Sequence, residues 1–378
     1  NPILCPATGD TPYAVAVDGN GNMYSAGLTG AGVSFLQKFG PRGNLLREVN
    51  GVNGQWISDL EIYQGAIYAV GVVEDGRSFV ARYNLNLNQT WRRLFKSRDL
   101  EVSALSLDIS NGTPLVVGGH SYDENFTDSN AVIYLFNPEN GERQASFTLS
   151  NEIELGRTRW NDVEARVEDG QLVIYAGGER VTPEGYGSKG FIYKFTGNGQ
   201  RLWRQSFVHE HTESHERSGA VYDLAVVGNN VFASGVMGHR TFNDWDLTLW
   251  KLNGNDGSNL EEFQIGTWFD DFGFFGITAV GGEVYAAGSI SVFDSSDLIL
   301  VKTNSDLEEV VYKIWLKDLD FTGYDLHEEV GYDIAVRDNN IYAAVQDYFL
   351  DDDPGFGYNS WEANGFALKF PNNRWTEF

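Results

Sequence analysis

The chain of 378 residues carries 27 basic and 53 acidic side chains, which gives a formal net charge of −26. A polyanion of this size repels phosphate backbones and anionic lipids, so the charge argues against a nucleic-acid partner and against a membrane surface. Hydrophobic residues make up 42% of the chain and aromatic residues 14%, enough for a large folded core. The single cysteine, Cys5, excludes a disulfide framework and a cysteine-rich metal site. No apolar run has the length of about 20 residues that a membrane helix needs.

A phrase of two β-type runs recurs along the chain. It is clearest at Tyr222–Gly235, where a run that begins Tyr-Asp-Leu-Ala-Val is joined by Gly-Asn-Asn to a second run that ends in glycine. The phrase returns at residues 333–344 and 59–71. Weaker copies begin at Ala14, Ala104, Asp162 and Gly276. Because two β-type runs joined by Gly and Asn indicate a hairpin, the sequence contains seven hairpin units of about fifty residues each.

Each unit continues with a third and a fourth run. The third resembles Phe191–Phe195, with a lysine before its last residue, and the fourth resembles Leu202–Phe207 and follows a Gly-Asn turn. No segment keeps a 3.6-residue apolar period, so little helix is expected. Four antiparallel strands per unit predict an all-β fold, a seven-bladed β-propeller of four-stranded blades. We expect a single domain over residues 1–378, with blades at approximately residues 8–51, 52–97, 98–151, 152–209, 210–267, 268–318 and 319–378.

Two further expectations concern the glycines and the ends of the chain. The second run usually ends in glycine, as at Gly71 and Gly235, which we attribute to backbone crowding near a narrow central channel. The last unit lacks an obvious fourth strand. Either Arg374–Phe378 completes it, or Pro2–Cys5 adds to it from the other end of the chain. The sequence leaves both closures open.

These phrases resemble the bacterial-type β-propeller repeat sometimes called SBBP and, more distantly, the kelch and NHL propellers. The resemblance rests on Asp-hydrophobic-Ala-Val, Gly-Asn-x-Tyr/Phe-x-x-Gly, Asp/Gly-Phe-x-x-Lys-Phe and Gly-x-x-x-Trp, and it spans the chain from about residue 10. It implies a ring of packed blades with no fixed catalytic residue. Functional residues must therefore be sought in the parts of the chain that vary between units.

The loops of such a ring divide between two faces. If the first strand of each unit is innermost, the loops between first and second strands, such as Gln64-Gly65, share one face and are short. The loops between second and third strands and the links between units share the other face. This long-loop face carries the insertions at residues 120–130, 179–190 and 346–365. Because binding loops on a rigid scaffold usually carry function, we expect the site there.

Two segments of the long-loop face contain residue types that bind metal ions. The link at residues 208–216 has an H-x-H pair and a third histidine, a pattern that on an extended segment suits a zinc-like shell. The insertion after residue 346 places four carboxylates beside turn residues, which is the oxygen chemistry of Ca²⁺, the one cofactor that the sequence suggests. For both segments the alternative is a solvated, charged loop. The predicted metal ligands are His209, His211, His215, Asp347, Asp351, Asp352 and Asp353.

Aromatic residues interleaved with acidic and amide residues are the other signal on this face. Flat rings stack on the C–H faces of sugars while carboxylates and amides accept the hydroxyl protons; the alternative is that the rings pack between blades. Carboxylates from different blades could also form the pair, about 5–9 Å apart, that glycoside chemistry uses. The predicted ligand-binding residues are Tyr122, Tyr186, Trp245, Asp246, Trp268, Asp270, Asp271, Tyr348 and Trp361.

The sequence therefore favours a binding or scaffold propeller that recognises a carbohydrate or a protein through its acidic, aromatic-rich long-loop face. The first alternative is a polysaccharide-active enzyme, a hydrolase or a lyase, with its pocket on the same face. The second is a structural subunit of an extracellular assembly. A chain that starts with Asn rather than Met is expected for a processed, secreted, periplasmic or cell-surface protein.

Overall fold

The computed structural model describes residues 5–8, 11–51, 56–73, 75, 77–95, 102–110, 112–122, 129–149, 157–181, 188–207, 219–238, 245–266, 273–292, 295–308, 310–316, 327–351 and 360–371. All regular structure within these ranges is β-strand. The described part of the chain contains no helix with the length and hydropathy of a membrane span.

Five antiparallel sheets of four strands follow one another along the chain, each with its strands in sequence order. The first contains β2 (Thr11–Val17), β3 (Met23–Leu28), β4 (Ser34–Phe39) and β5 (Leu45–Asn50). The second contains β6 (Trp56–Tyr63), β7 (Ala66–Val72), β8 (Ser78–Asn84) and β9 (Gln89–Phe95). The third contains β10 (Val102–Asp108), β11 (Leu115–Tyr122), β12 (Ser129–Phe136) and β13 (Arg143–Thr148). The fourth contains β14 (Arg157–Glu168), β15 (Gln171–Val181), β16 (Ser188–Thr196) and β17 (Arg201–Phe207). The fifth contains β18 (Gly219–Val227), β19 (Asn230–Gly238), β20 (Trp245–Asn253) and β21 (Asn259–Ile265).

The sixth sheet has eight strands and takes in both ends of the described chain. Its members are β22 (Gly273–Val280), β23 (Glu283–Val292), β24 (Ser295–Asn304), β25 (Val310–Leu316), β26 (His327–Arg337), β27 (Asn340–Asp351), β28 (Ser360–Pro371) and β1 (Cys5–Thr8).

The prediction of seven four-stranded blades was wrong, because the hydrogen-bonded strands form six blades. The last two repeat units share one sheet, in which a parallel pair between Ser296 and Glu328 joins β24 to β26. The number of sequence repeats gives the number of four-strand units. The number of sheets depends also on backbone hydrogen bonds between neighbouring sets, which side-chain patterns do not specify. The fold class is an all-β β-propeller.

The N-terminal strand closes the ring. β1 pairs antiparallel with β28, with Cys5 opposite Ala367 and Thr8 opposite Asn364. Of the two closures that the sequence left open, the structure adopts the N-terminal one, and residues 374–378 lie outside the described residues. The pairing covers an edge of β28 that would otherwise present unpaired backbone groups.

Three insertions that the sequence analysis treated as loops are partly strand. The hairpins continue to the pairs Tyr122 with Ser129, Val181 with Ser188 and Asp351 with Ser360. On the long-loop face these hairpins therefore extend further than the repeat pattern predicted.

Every inner strand, the first strand of its repeat unit, has a β-bulge near its start. These strands are β2, β6, β10, β14, β18, β22 and β26, and each shows a register shift at the same point. The bulge moves a carbonyl oxygen against the second strand. A Cβ at Gly71 would lie 2.1 Å from the oxygen of Trp56, and one at Gly235 would lie 1.9 Å from the oxygen of Ala220. At Gly71 and Gly235 the bulged inner strand therefore leaves no room for a side chain on the second strand, whereas the last unit has the same bulge with Val345 opposite Gly331.

Lysine, tyrosine and tryptophan of the repeated phrases join neighbouring blades at the short-loop face. Lys194 Nζ lies 5.0 Å from the ring centre of Tyr175 and donates a 2.8 Å hydrogen bond to the carbonyl of Gly254 in the next sheet. Trp203 Nε1 donates to the same carbonyl at 3.0 Å. Equivalent bonds join Lys38 to the carbonyl of Leu85 and Lys369 to that of Pro41. The phrases that carry the family resemblance therefore describe contacts between blades.

The aspartate of the repeated phrase links neighbouring inner strands. Asp223 accepts the N–H of Leu224 through Oδ1 at 2.8 Å and the N–H of Ile277, in the next unit, through Oδ2 at 2.6 Å. Equivalent hydrogen bonds to the next unit run from Leu107 to Asp59, from Leu224 to Asp162 and from Val15 to Asp333. The bond between Val15 and Asp333 joins the first inner strand to the last, which closes the ring at its centre.

Replacing Asp333 with Ala should destabilise the ring, because the N–H of Val15 loses its acceptor. An unsatisfied buried donor costs about 1–3 kcal/mol, so we expect the free energy of unfolding to fall by that amount. Urea unfolding at pH 5 is the appropriate measurement, since this is below the pKa of about 6 of the Asp333 carboxyl and limits charge repulsion. The control is Glu308→Ala at an exposed position, which should change stability by less than about 0.5 kcal/mol. Equal stability of the two variants would contradict the proposed link.

Candidate functional site

A cavity of about 400 Å³ occupies the central channel, and all seven inner strands contribute to its lining. Each inner strand begins at the long-loop face and ends at a short turn, such as Gln64-Gly65. Position along the strand therefore measures depth below the long-loop face. The lining consists of three levels: the bulge residue, the repeated Asp position that follows it, and the position two residues further on.

The first level carries an arc of aromatic rings from four consecutive repeat units. Tyr222 and Phe275 have ring centres 4.9 Å apart, Phe275 and Tyr332 5.8 Å, and Tyr332 and Tyr13 5.4 Å. All four side chains are half-buried and line the cavity. We call these four residues the aromatic arc. Ser58 and Asn161 hold the equivalent bulge positions in two of the other units, so the channel mouth is aromatic on one side and polar on the other.

The bulge explains why this level exists. In a regular strand successive side chains alternate between faces, whereas a bulge sets two consecutive residues opposite one residue of the partner strand. Tyr222 and Asp223 therefore both line the cavity, as do Tyr332 and Asp333. The hydrophobic residue that follows, such as Leu224, is buried in the core.

The third level is acidic on one side only. Glu61, Asp108 and Glu164 occupy it in three consecutive units, and we call them the acidic wall. The other four units have small side chains at this position, which leave space for the cavity. These residues are Ala16, Ala225, Thr278 and Ala335. The Asp108 carboxylate accepts the N–H of Ala165 at 2.5 Å, so it also links two inner strands. No hydrogen bond to the Glu164 side chain occurs within the described residues.

Burial raises the pKa of every carboxyl group in the cavity. The pKa of Glu61 rises to about 8, first because of burial and then because Asp108 and Asp333 lie near it. Burial, followed by the charge of Asp333, raises the pKa of Asp223 to about 7, and burial raises those of Asp108 and Asp333 to about 6. The pKa values of Asp59, Asp162 and Glu164 are also raised well above the usual range, mainly by burial. The cavity therefore holds carboxyl groups that are partly protonated at neutral pH.

The carboxyl groups do not converge on a metal position. No group of three or more His, Cys, Asp or Glu side chains within the described ranges has an arrangement that could hold a metal ion. Ca²⁺ takes six to eight oxygen ligands at about 2.3–2.6 Å, a much closer grouping than the cavity offers.

Most of the site residues predicted from the sequence lie outside the described residues: Tyr186, Trp268, Asp270, Asp271, His209, His211, His215, Asp352 and Asp353. For five others the structure describes the strand position but not the side chain: Tyr122, Tyr348, Trp361, Asp347 and Asp351. Both the zinc-like shell and the Ca²⁺ loop therefore stay predictions.

Trp245 and Asp246 are the predicted ligand-binding residues whose side chains the structure describes. They begin β20, opposite Gly238 and Met237. Trp245 is half-buried, whereas Asp246 is only 3% exposed. The Asp246 carboxylate lies against Gly266, where an added Cβ would come within 1.7 Å of Oδ1. Neither residue lines the central cavity, and their role in binding a ligand stays a prediction.

The sequence analysis missed the aromatic arc as a group, although a signal for it existed. Tyr13, Tyr222, Phe275 and Tyr332 each precede the aligned Asp position of their unit by one residue. Aligning the units column by column would have shown this. The third unit obscured the alignment, because its bulge places Ser106, not Ala104, at the Asp position.

No protein-family model matches the chain, and no curated protein matches it in sequence. Similar folds occur among solved structures. Raptor from Chaetomium thermophilum aligns with a TM-score of 0.58 and 10% identity over 98% of this chain, which spans only 28% of the Raptor chain. The polysaccharide lyase Uly1 aligns with a TM-score of 0.53 and 10% identity over 96% of this chain and 90% of its own. The β-propeller domain of the Trilobed protease from Pyrococcus furiosus aligns with a TM-score of 0.50 and 11% identity over 93% of this chain and 97% of its own.

The chain is a β-propeller. At these identities the three likenesses show the fold alone, and none assigns an activity. No family match supports the resemblance to the SBBP, kelch and NHL repeats, which stays an interpretation of the sequence.

The cavity carboxyls predict how stability depends on pH. Their pKa values are higher in the folded chain than in the unfolded chain, so the folded chain binds more protons between about pH 4 and pH 8. Their stabilising contribution is fully present below about pH 4 and is lost as the pH rises through about 6 to 8. Glu164→Gln removes one of these charges at nearly constant size. We expect its melting temperature to exceed that of the wild type by about 2 °C or more at pH 8 and to equal it at pH 4.

Thermal unfolding followed by circular dichroism at constant ionic strength measures this difference. Glu308→Gln, at an exposed position, is the matched control and should leave the melting temperature unchanged at both pH values. A Glu164→Gln effect of the same size at pH 4 and pH 8 would show that ionisation in the cavity is not its cause.

Proposed function

We propose that the protein is a binding propeller that holds a carbohydrate or a protein segment at the mouth of its central channel, on the long-loop face. The observation that carries the proposal is the aromatic arc above the acidic wall in a cavity of about 400 Å³. Aromatic faces offer a large contact area at low entropic cost, and carboxylates accept hydrogen bonds from hydroxyl and N–H groups. The lining of this cavity is predominantly polar, with seven acidic residues, so it suits a ligand that offers hydrogen-bond donors.

The enzyme alternative has less support from the described residues. A glycoside hydrolase needs two carboxyl groups about 5–9 Å apart that act on the bond between them. Asp59, Asp162, Asp223 and Asp333 instead accept backbone N–H groups of the neighbouring inner strand. A lyase that removes a proton beside a carboxylate acts on an anionic sugar, which the acidic cavity repels. The likeness to Uly1 concerns the fold only.

If the protein were a hydrolase, Glu61 and Glu164 would be the candidates for its catalytic carboxyl groups. Neither of them links two inner strands through a described hydrogen bond. The structural-subunit alternative has no described residue in its favour. Secretion or a periplasmic or cell-surface location, and the use of Ca²⁺, stay predictions that accompany the binding proposal.

Phe275→Leu tests the proposal, because it removes the middle ring of the arc and keeps an apolar side chain. The wild type and the variant are compared for binding to a panel of neutral, acidic and amino polysaccharides and to a library of short peptides. Ligands that the wild type retains should lose affinity about tenfold in the variant. Tyr63→Leu, at the short-loop end of β6, is the matched control and should bind as the wild type does.

Each binding measurement is paired with an assay for new reducing or unsaturated ends. Turnover by the wild type that Glu61→Gln or Glu164→Gln abolishes would replace the binding proposal with the enzyme alternative. Ligands that bind equally well to the wild type and to Phe275→Leu would move the site away from the channel mouth.

A further inference from the structure

The charges around the cavity are unbalanced. Seven of the residues that line it are acidic, and one, Arg337, is basic. Arg337 Nη1 donates to the carbonyl of Val17 at 3.2 Å, and its Nε lies 4.0 Å from the carboxylate of Asp338, so this cation is engaged at the short-loop end of the channel. Arg166, whose charge acts to lower the pKa of Glu164, forms a 3.2 Å ion pair with Glu168. No other basic residue is among the described residues that line the cavity, so the ionised acidic wall carries an excess of negative charge.

A buried hydroxyl group at the same place also has no partner. Ser106 holds the Asp position of the third unit, lines the cavity and is only 4% exposed. Its Oγ makes no hydrogen bond within the described part of the chain. The Oγ is enclosed and lies on the side of Ser106 that faces β11, 3.3 Å from where a Cβ added at Gly118 would be. The third unit therefore has an uncharged hydroxyl where other units have a carboxyl group.

The shape of the site selects among cations. The described carboxyls lack the grouping that a metal ion needs. The level of the aromatic arc is three residues above the level of the acidic wall, a depth of roughly 7–10 Å at the rise of a strand. The two sets belong to different repeat units, so a ligand that reaches both must also cross the channel. Aromatic faces attract organic cations and pack against alkyl chains. An ammonium group at the end of a flexible alkyl chain fits both levels at once, whereas an amine carried directly on a sugar ring does not extend that far.

We propose that a lysine side chain of a partner protein enters the channel from the long-loop face, with its alkyl chain along the aromatic arc and its ammonium group at the acidic wall. The ammonium group donates hydrogen bonds to the carboxylates of Glu61, Asp108 and Glu164, and Ser106 lies at the same side of the cavity. This inference rests on the proposed binding function and names the chemistry of the ligand.

Binding of the ammonium group releases protons from the cavity. The empty site holds protons because its carboxyls are buried together, and a cation among them lowers their pKa values again. The charged and titratable groups that face the site are Asp59, Asp162, Asp223, Asp333, Tyr13, Tyr222, Tyr332, Arg166 and Arg337. Since the pKa values are about 6 for Asp108 and about 8 for Glu61, affinity rises as the pH increases from 5.5 to 8. The ammonium group itself stays charged over this range.

The test is isothermal titration of the full chain with two acetylated and amidated pentapeptides, Gly-Gly-Lys-Gly-Gly and the same sequence with norleucine in place of lysine. The two differ in the charged ammonium group. We expect the lysine peptide to bind at least tenfold more tightly at pH 7.5. Titrations in buffers of different ionisation enthalpy should show protons released on binding. Equal binding of the two peptides, or lysine-peptide binding without proton release, would overturn the inference.

Variants locate the ammonium group within the channel. Glu164→Gln should lower the affinity for the lysine peptide at least fivefold and reduce the number of protons released on binding. Its affinity for the norleucine peptide should equal that of the wild type. Phe275→Leu should weaken both peptides. Glu308→Gln is the matched control and should change neither. A lysine peptide that binds the Glu164→Gln variant as tightly as the wild type would place the ammonium group elsewhere.

A glucosamine oligomer tests whether the ammonium group comes from an amino sugar instead of a lysine side chain. Tighter binding of that oligomer than of the lysine peptide, with loss in Glu164→Gln, would reject a protein partner. The two proposals also fail separately. If ligands from the polysaccharide and peptide screen depend on Phe275 but bind Glu164→Gln normally, the channel mouth is a binding site without an ammonium pocket. If no ligand depends on Phe275, the binding proposal itself is wrong.

Discussion

The centre of the molecule depends on one hydrogen bond that recurs around the ring: an aspartate on one inner strand accepts a backbone N–H from the next. Asp59, Asp162, Asp223 and Asp333 make this bond, and the last of them reaches Val15 in the first unit. The edge of an inner strand faces a channel, and within the described residues only β26 has a strand of its own sheet on that side, through the single pair of Ser296 with Glu328. A side-chain acceptor at this edge satisfies a backbone donor and fixes the spacing of two adjacent units at the same time.

This linkage has an electrostatic cost that shapes the channel. Carboxyls brought to one axis from several units are buried and close together, so their pKa values rise. Glu61, Asp108 and Glu164 add to the charge without being needed at every unit, since four units have alanine or threonine at that position. Of these three residues, Asp108 also links two inner strands, whereas Glu61 and Glu164 make no such link within the described residues. The aromatic arc lies on the other side of the channel, because its four residues belong to the four units that lack an acidic-wall residue.

The sequence predicted the fold class because the determinants of a blade are local. The Gly-Asn turns, the lysine before the end of the third run and the tryptophan of the fourth run recur at fixed spacing, and in the structure Lys194, Tyr175 and Trp203 meet at the carbonyl of Gly254. The N-terminal closure was one of two options, because either Pro2–Cys5 or Arg374–Phe378 could supply the missing strand of the last unit. The number of sheets was predicted wrongly because one backbone pair, between Ser296 and Glu328, joins two units. The cavity could not be predicted from loop lengths, since the bulges of the inner strands create it.

The closure between β1 and β28 also constrains how the protein reaches its native state. Cys5 pairs with Ala367, and the N–H of Val15 bonds to Asp333, so both ends of the ring are joined by contacts between residues more than 300 positions apart. Such distant contacts make folding slow. During synthesis the earliest strands emerge long before their partners exist, and the unsatisfied edge of β2 must wait for nearly the whole chain. A ribosome-bound fragment that ends before β26 therefore has an open ring, and the channel is complete only after β26 and β28 have been synthesised.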